Sequence, residues 1–367
     1  MKLKWMIAGG GTGGHLFPGI ALAQEVSTRH PDNEVLFVGT ARGLETTIVP
    51  REGYRLELID VQGLKGKGLG GLVRGLVRIP SAMWQAVRIL RRERPQLVIG
   101  VGGYASGPVV LAAALMGIRT AVQEQNALPG FTNKLLGRFV DAVFIAFPEA
   151  APFFTRRKTH LLGNPIRRAL LDNFLQPKVH GGRFTLLVTG GSQGAHKLNL
   201  HVVGAMRDLG ERAKVLQVIH QTGTRDRDEV ARSYRELGID AEVVDFIQDM
   251  PAAYARADLV VCRAGAATLA ELSVARKASI LVPFPFAADN HQEVNARSMV
   301  DAGASLMFRE AELDAAKLSG AIRALVDEPA RRGQMERAAG LLGRPEAARE
   351  IADVCVELVV PMARQGR

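Results

Sequence analysis

Short apolar runs rich in β-branched residues recur through the first half of the chain, at Trp5 to Ala8, Val35 to Val38, Leu97 to Val101, Thr120 to Gln123 and Ala142 to Ile145. Near-continuous apolar runs mark strands covered on both faces, as in parallel α/β sheets, and the amphipathic stretches between them supply the covering helices. The pattern restarts at Phe184 to Thr189 and continues through Val215 to His220, Glu242 to Asp245, Leu259 to Cys262 and Ile280 to Val282. It predicts an α/β protein of two doubly wound, Rossmann-like domains with parallel sheets. Asn164-Pro165 marks the joint, because proline disfavours helix at the residue before it. The expected domains are therefore 1–163 and 164–344. A last helix in 345–367, with Ala347, Ile351, Val354 and Leu358 on one face, suits a cap on either domain.

Three predicted strand-to-helix turns are glycine-rich: Gly9-Gly10-Gly11-Thr12-Gly13-Gly14-His15, Gly102-Gly103-Tyr104-Ala105-Ser106-Gly107 and Gly190-Gly191-Ser192-Gln193-Gly194-Ala195. Such turns let backbone N–H groups close on an anion, so the chain reads as one built to hold phosphates twice. The first turn contains the G-x-G-x-x-G pattern of dinucleotide sites. The acidic residue that this site needs about 20 residues further on is missing, because Val35 to Val38 leads into Gly39-Thr40. A nicotinamide cofactor is not expected. His15 stands at the start of the predicted helix Leu16 to Arg29, where the helix dipole keeps an imidazole neutral and able to act as a base. Its plainer reading is a cap or core histidine.

Further polar groups fall at strand ends, where open α/β sheets hold their ligands. Glu124-Gln125-Asn126 follows one strand, and Asn164-Pro165-Ile166-Arg167 puts a guanidinium, suited to paired phosphate oxygens, at the joint. Loop capping and a solvated linker arginine are the bland alternatives. In the second half, Cys262 to Glu271 runs through a small-residue turn into a helix, which admits a ligand against the backbone and offers Glu271 to ribose hydroxyls. Asp289-Asn290-His291-Gln292 opens another helix with groups suited to a sugar. Asp226-Arg227-Asp228 matches a metal-binding DxD, but ahead of a helical run it reads as complementing the helix dipole. No metal is expected.

Composition adds a charge asymmetry. Of the 367 residues, 47% are hydrophobic and 23% charged, ordinary for a soluble protein with more than one core. Residues 1–163 carry 20 Lys and Arg against 11 Asp and Glu, and the remainder 27 against 26, so nearly all of the net +10 lies in the first half. That field suits nucleic acid, an anionic membrane face or a phosphorylated ligand. The two cysteines, Cys262 and Cys355, read as buried thiols of a reducing compartment. With no basic leader and no apolar run near the roughly 20 residues of a membrane span, a cytoplasmic chain is expected. Between Leu69 and Arg94, Leu76, Ile79 and Trp84 interleave with Arg74 and Arg78, after a basic loop holding Lys65 and Lys67. This is the pattern of a helix lying on an anionic bilayer, with an ordinary half-buried helix as the alternative.

Taken together, Gly-Gly-Thr-Gly-Gly-His-Leu-Phe-Pro-Gly at 10–19, Gly-Gly-Tyr-Ala-Ser-Gly at 102–107, Glu-Gln-Asn at 124–126, Gly-Asn-Pro-Ile-Arg at 163–167, Gly-Gly-Ser-Gln-Gly-Ala at 190–195 and the turn at 262–271 closely resemble the MurG family, glycosyltransferase family 28. The resemblance spans almost the whole chain in motif order. It implies the GT-B fold, two Rossmann-like domains with an inter-domain cleft and a C-terminal helix returning to the first. It also implies inverting transfer of GlcNAc from UDP-GlcNAc to the C4 hydroxyl of the MurNAc of lipid I, giving lipid II for peptidoglycan, without cofactor or metal.

By the same resemblance, His15, Glu124 and Tyr104 are the catalytic candidates. Thr12, Gly13, Gly14, Asn126, Arg167, Ser192, Ile247, Ala266, Ala267, Thr268, Leu269, Ala270, Glu271 and Gln292 match donor-contacting positions. Gly14, Gly103 and Ser106 are expected near the acceptor pyrophosphate. His291 departs from the paired glutamines of the family pattern. The implied setting is the cytoplasmic face of the membrane, among proteins of wall synthesis, cell shape and division, with no nucleic acid. A GT-B enzyme that hydrolyses or epimerises UDP-GlcNAc would share the donor motifs but would not need the basic apolar surface.

Overall fold

The computed structural model describes residues 2–61, 68–174, 182–191 and 194–360, with the side chains of 68–79 left aside. It divides into two compact units, residues up to 167 together with those from 345 onward, and residues 168–344.

The first unit alternates strand and helix: β1 (Lys4–Gly9), α1 (Gly13–Arg29), β2 (Glu34–Gly39), α2 (Glu45–Arg51), β3 (Arg55–Leu58), α3 (Gly68–Glu93), β4 (Leu97–Gly102), α4 (Ser106–Leu115), β5 (Arg119–Glu124), α5 (Phe131–Leu136), β6 (Ala142–Ile145) and β7 (Thr159–Leu161). The strands form one parallel sheet in the order β3-β2-β1-β4-β5-β6-β7. β1 and β4 are neighbours although far apart in sequence. The two glycine turns that follow them therefore emerge side by side at the carboxyl edge, where this class of sheet binds ligands. One face of the sheet packs Trp5, Ile7, Phe37 and Ile99 against α1, and the other packs Met6, Leu36, Val98 and Val122 against α3 and α4.

The second unit contains α6 (Arg168–Phe174), β8 (Thr185–Thr189), α7 (His196–Leu209), β9 (Gln217–Gln221), α8 (Arg227–Glu236), β10 (Asp240–Val244), α9 (Met250–Arg256), β11 (Leu259–Cys262), α10 (Ala266–Val274), β12 (Ser279–Leu281), α11 (His291–Asp301), β13 (Ser305–Met307), α12 (Ala315–Asp327) and α13 (Pro329–Leu342). Its parallel sheet has the order β10-β9-β8-β11-β12-β13. The final helix, α14 (Ala347–Val359), belongs to the first unit. Ala348, Ile351, Ala352 and Cys355 join the core beneath α1. Arg29 at the end of α1 pairs with Asp353 at 2.7 Å and donates to the Arg349 carbonyl.

Three strands escape the apolar-run reading. β3 carries Arg55 and Glu57 on a sheet edge, and β7 and β13 have only three residues each. α1 begins at Gly13, before the expected Leu16, and α3 begins at Gly68, inside the stretch expected to be a basic loop. Lys65 and Lys67 lie outside the described residues, as does Ser192. Arg74, Leu76, Arg78 and Ile79 fall on α3 where side chains are left aside. Cys262 and Cys355 are both buried free thiols.

Candidate functional site

In the first unit the two neighbouring glycine turns are packed backbone to backbone. Gly9, Gly10, Gly11, Gly102 and Gly103 all have positive φ. The Gly10 N–H donates to the Gly102 carbonyl at 3.3 Å. A Cβ on Gly9 would fall 2.4 Å from the Gly102 oxygen, and one on Gly103 would fall 2.4 Å from the Gly10 oxygen. These contacts give several of the glycines a further reason beside a phosphate, because the approach of chain to chain already demands them. The same packing seats His15, whose Nδ1 lies 2.7 Å from where a Gly102 Cβ would be.

The first turn of α1 remains available to an anion. Thr12, in extended conformation, is the N-cap, and its carbonyl accepts from the N–H groups of His15 and Leu16. The N–H groups of Gly13 and Gly14 have no acceptor within the helix, and there is no acidic residue in the first turn to compete. Thr12 and Gly14 are exposed, and Gly13 and His15 half-buried. Arg167 stacks its guanidinium over the Phe17 ring at 4.4 Å, beside this turn. Both amide atoms of the adjoining buried Asn164 lack a partner among the described residues.

Two expectations change here. Ser106 heads α4 with its side chain fully buried, and its hydroxyl would lie 2.3 Å from a Cβ on Gly100. It can meet an anion only through its backbone N–H. The Glu124 carboxylate is 1% exposed. It accepts from the Asn126 N–H at 2.9 Å, the Asn126 side chain at 3.3 Å, the Gly130 N–H at 3.1 Å and Asn133 Nδ2 at 2.9 Å. Burial raises its pKa against the pull of these donors. With both oxygens occupied, Glu124 braces the loop that carries Asn126; it does not present a base to solvent. Tyr104 is well exposed. Gly103 lies against the Gly10 backbone, with no room there for a Cβ.

The second unit builds its site at the carboxyl edge of its sheet. Gly191 and Gly194 have positive φ, and a Cβ on Gly194 would fall 2.1 Å from the Thr222 carbonyl. Gln221, at the end of β9, donates through Nε2 to the Gly191 carbonyl and accepts through Oε1 from the Ile247 N–H, both at 2.9 Å. One amide thus joins two expected donor loops. Beneath them, His220 contacts Tyr234 and Asn199, and Asn199 reaches Asp226, which also holds His196 at 2.9 Å. Burial drives the His220 pKa down to about 3, so this network holds a neutral imidazole. Asp226 is committed to that network, consistent with a structural role for the DxD.

Gly265 caps α10, whose first residues are Ala266 to Ala270. Ala267, Thr268 and Ala270 are half-buried, whereas Leu269 points into the core and offers a ligand only its backbone. Glu271 accepts at Oε2 from the buried Tyr254 hydroxyl at 3.1 Å. Gln292 accepts at Oε1 from the Phe284 N–H at 2.9 Å. Ahead of it, Asp289 and Asn290 both take left-handed φ values, near +53° and +55°. Arg263 ties the two loops together, donating to the carbonyls of Val282 and Pro283, pairing with Glu310 and lying over the Phe284 ring. Glu45, Gln221 and Tyr254 escaped the sequence reading, and Arg263 entered it only as a member of the turn at 262–271. The consecutive polar residues that end β9 were the only local hint among them. Among the described residues no group of three His, Cys, Asp or Glu has the arrangement of a metal site.

Both halves of the chain match known proteins. Residues 5–145 fit the glycosyltransferase family 28 N-terminal domain, and residues 185–353 fit the glycosyltransferase family 28 C-terminal domain. The chain is 62% identical over 358 residues, 98% of its length and 94% of the relative's, to the UDP-N-acetylglucosamine--N-acetylmuramyl-(pentapeptide) pyrophosphoryl-undecaprenol N-acetylglucosamine transferase of Myxococcus xanthus. The chain belongs to the MurG family. The crystal structure of Acinetobacter baumannii MurG superposes with a TM-score of 0.79 at 29% identity, covering 97% of this chain and 99% of that one. A putative UDP-N-acetylglucosamine 2-epimerase from Listeria monocytogenes, at 15% identity and a TM-score of 0.70 over 97% of this chain and 96% of that one, shares the fold. Both MurG domains, each with its own parallel sheet, are those of the GT-B fold.

Proposed function

We propose that this MurG-family chain transfers N-acetylglucosamine from UDP-GlcNAc to the muramyl sugar of undecaprenyl-pyrophosphoryl-MurNAc-pentapeptide, converting lipid I to lipid II for peptidoglycan. The observation that carries this reading is 62% identity along nearly the whole chain to a transferase of that name. Both sets of site residues lie at the carboxyl edges of their sheets.

In the reaction the C4 hydroxyl oxygen of the acceptor attacks the anomeric carbon of the donor. The bond from that carbon to the diphosphate breaks, UDP leaves with the electron pair, and the configuration inverts. His15 takes the hydroxyl proton, as a half-buried imidazole at a helix N-terminus is suited to do. Donor binding falls to Glu271 on the ribose, Gln292 on the sugar, Ile247 beside the base, the turn at 190–195 on the diphosphate and the backbone from Ala266 to Ala270. Preorganised N–H groups and Arg167 stabilise the departing diphosphate. The acceptor pyrophosphate is assigned to the first turn of α1.

The enzyme works as a peripheral protein on an anionic, cytoplasmic membrane face. No helix among the described residues is long and apolar enough to cross a bilayer. What supports the reading is a set of exposed apolar side chains on α3, α4 and α5 and just after them. Trp84 is exposed with Arg88 at 5.7 Å from its ring, and Leu115, Phe131, Leu135 and Phe139 are exposed as well. Lys134 sits over the exposed Phe153 ring at 4.2 Å. Apolar side chains edged by cations are what an anionic interface selects. The functional test is UDP release from UDP-GlcNAc with and without a short-chain lipid I analogue. Release that requires the analogue supports transfer. Equal release without it, or epimerised donor, defeats it.

A further inference from the structure

Glu45 belongs to none of the sequence motifs, yet its carboxylate is 1% exposed and enclosed by the first glycine turn. It opens α2, from which it accepts the Gly11 N–H at 2.7 Å on Oε2 and, on Oε1, the Thr40 N–H at 2.9 Å and the Thr40 hydroxyl at 3.0 Å. Three glycines make room for it. A Cβ on Gly10 would fall 2.5 Å from its carboxyl carbon, one on Gly39 2.6 Å from its Cγ, and one on Gly43 1.9 Å from Oε2. Gly10 and Gly11 come from the turn after β1, Gly39 and Thr40 from the end of β2, and Gly43 from the approach to α2. The side chain therefore ties the turn after β1 to the β2–α2 loop at the carboxyl edge of the sheet.

In nucleotide-binding sheets the N–H groups of such a turn close on a phosphate. Here one of them already closes on a carboxylate that the chain itself supplies. We propose that Glu45 is a positioning residue for the His15 loop, acting as a resident anion in the first glycine turn and so fixing the start of α1 from Thr12 to His15. With the Gly11 N–H spent, an incoming pyrophosphate is directed to the N–H groups of Gly13 and Gly14. The inference rests on the functional reading above only in its use of turnover as a readout.

The test compares wild type with Glu45→Gln, which keeps the shape but turns an amide N–H toward one of the donors. Turnover is measured with UDP-GlcNAc and a short-chain lipid I analogue, UDP binding by calorimetry, and Gly11 amide exchange by NMR. The expected result is a fall in kcat of about ten- to a hundred-fold, the order expected from a misplacement near 1 Å, with UDP affinity within about twofold. Gly11 exchange should speed up by about tenfold. Wild-type kcat and exchange would overturn the proposal. So would a parallel loss of kcat, UDP affinity and folded protein, which marks a general folding role. If Glu45→Gln does not fold, Thr40→Val, which strips one donor from Oε1, is read instead. A several-fold fall in kcat at unchanged UDP affinity then supports the proposal, and unchanged kcat overturns it. If the wild-type enzyme shows no lipid-dependent UDP release, the functional reading fails, and Gly11 exchange alone decides Glu45's hold on the loop.

Discussion

The imidazole of His15 rests on the bare backbone of Gly102, with Nδ1 only 2.7 Å from where a Cβ on that glycine would stand. Gly102 also has a φ of +94°, which side-chain-bearing residues rarely adopt. Gly102→Ala should therefore displace the ring and lower kcat by about ten- to a hundred-fold. It should also cost about 1–3 kcal/mol of stability. Gly117→Ala is the matched control, with a φ of +74° and nothing within 4 Å of the added carbon. It should lose stability in a thermal melt while keeping kcat. Equal kcat in both variants would dissociate His15 from Gly102.

Tyr254 reports on the donor site. Its buried hydroxyl donates to Glu271 Oε2 at 3.1 Å and so helps to hold the carboxylate in place. Tyr254→Phe removes that bond with little change of shape, a loss of about 1 kcal/mol. The KM for UDP-GlcNAc should rise roughly fivefold with kcat nearly unchanged. An unchanged KM would mean that Glu271 needs no help from Tyr254.

Glu93 gives the first unit a pH dependence. Lys4 at 2.7 Å, and then Arg55 and Arg92, hold its carboxyl down at about 2 against an ordinary 4.5. A depressed folded-state pKa means stability that is fully present above about 4.5 and is lost as the pH falls toward 2. Because Arg55 and Arg92 are largely exposed, about 1–2 kcal/mol is expected from the cluster. Glu93→Gln should lower the urea midpoint at pH 7, and the gap from wild type should narrow between pH 5 and pH 3. A gap independent of pH would assign the loss to packing.

The membrane-facing surface makes a prediction separate from chemistry. Replacing Phe131, Leu135 and Phe139 together with Ser should weaken pelleting with phosphatidylglycerol vesicles by about tenfold or more, from the lost apolar burial. Turnover on a short-chain, water-soluble acceptor should stay near wild type. Undiminished pelleting would remove the 131–139 segment from the interface.

The sheets and their turns were legible because parallel strands buried on both faces leave unbroken apolar runs, as at β1, β4 and β8. Short edge strands were not: β3 mixes Arg55 and Glu57 into its four residues, and β7 and β13 bury too little to leave a pattern. Glycine positions were legible, but the reason for them was not. Gly39 and Gly43 make way for Glu45, and Gly9 and Gly103 accommodate each other's strands, contacts between segments up to some ninety residues apart. The same limit hid the commitment of Glu124 to Asn126, Gly130 and Asn133, and the burial of the Ser106 hydroxyl. A motif names residues near a site, whereas the direction each side chain faces is set by partners that no local spacing records.

Transfer of labelled GlcNAc separates a lipid I transferase from any other enzyme acting on UDP-GlcNAc. With a lipid I analogue present, label from UDP-GlcNAc should appear in a lipid-linked disaccharide in step with UDP release, UDP-glucose should be a poor donor, and His15→Ala should cut kcat by about a hundredfold or more while UDP still binds. Label that stays in soluble sugar or in an epimerised nucleotide, with none reaching the acceptor, would contradict the account.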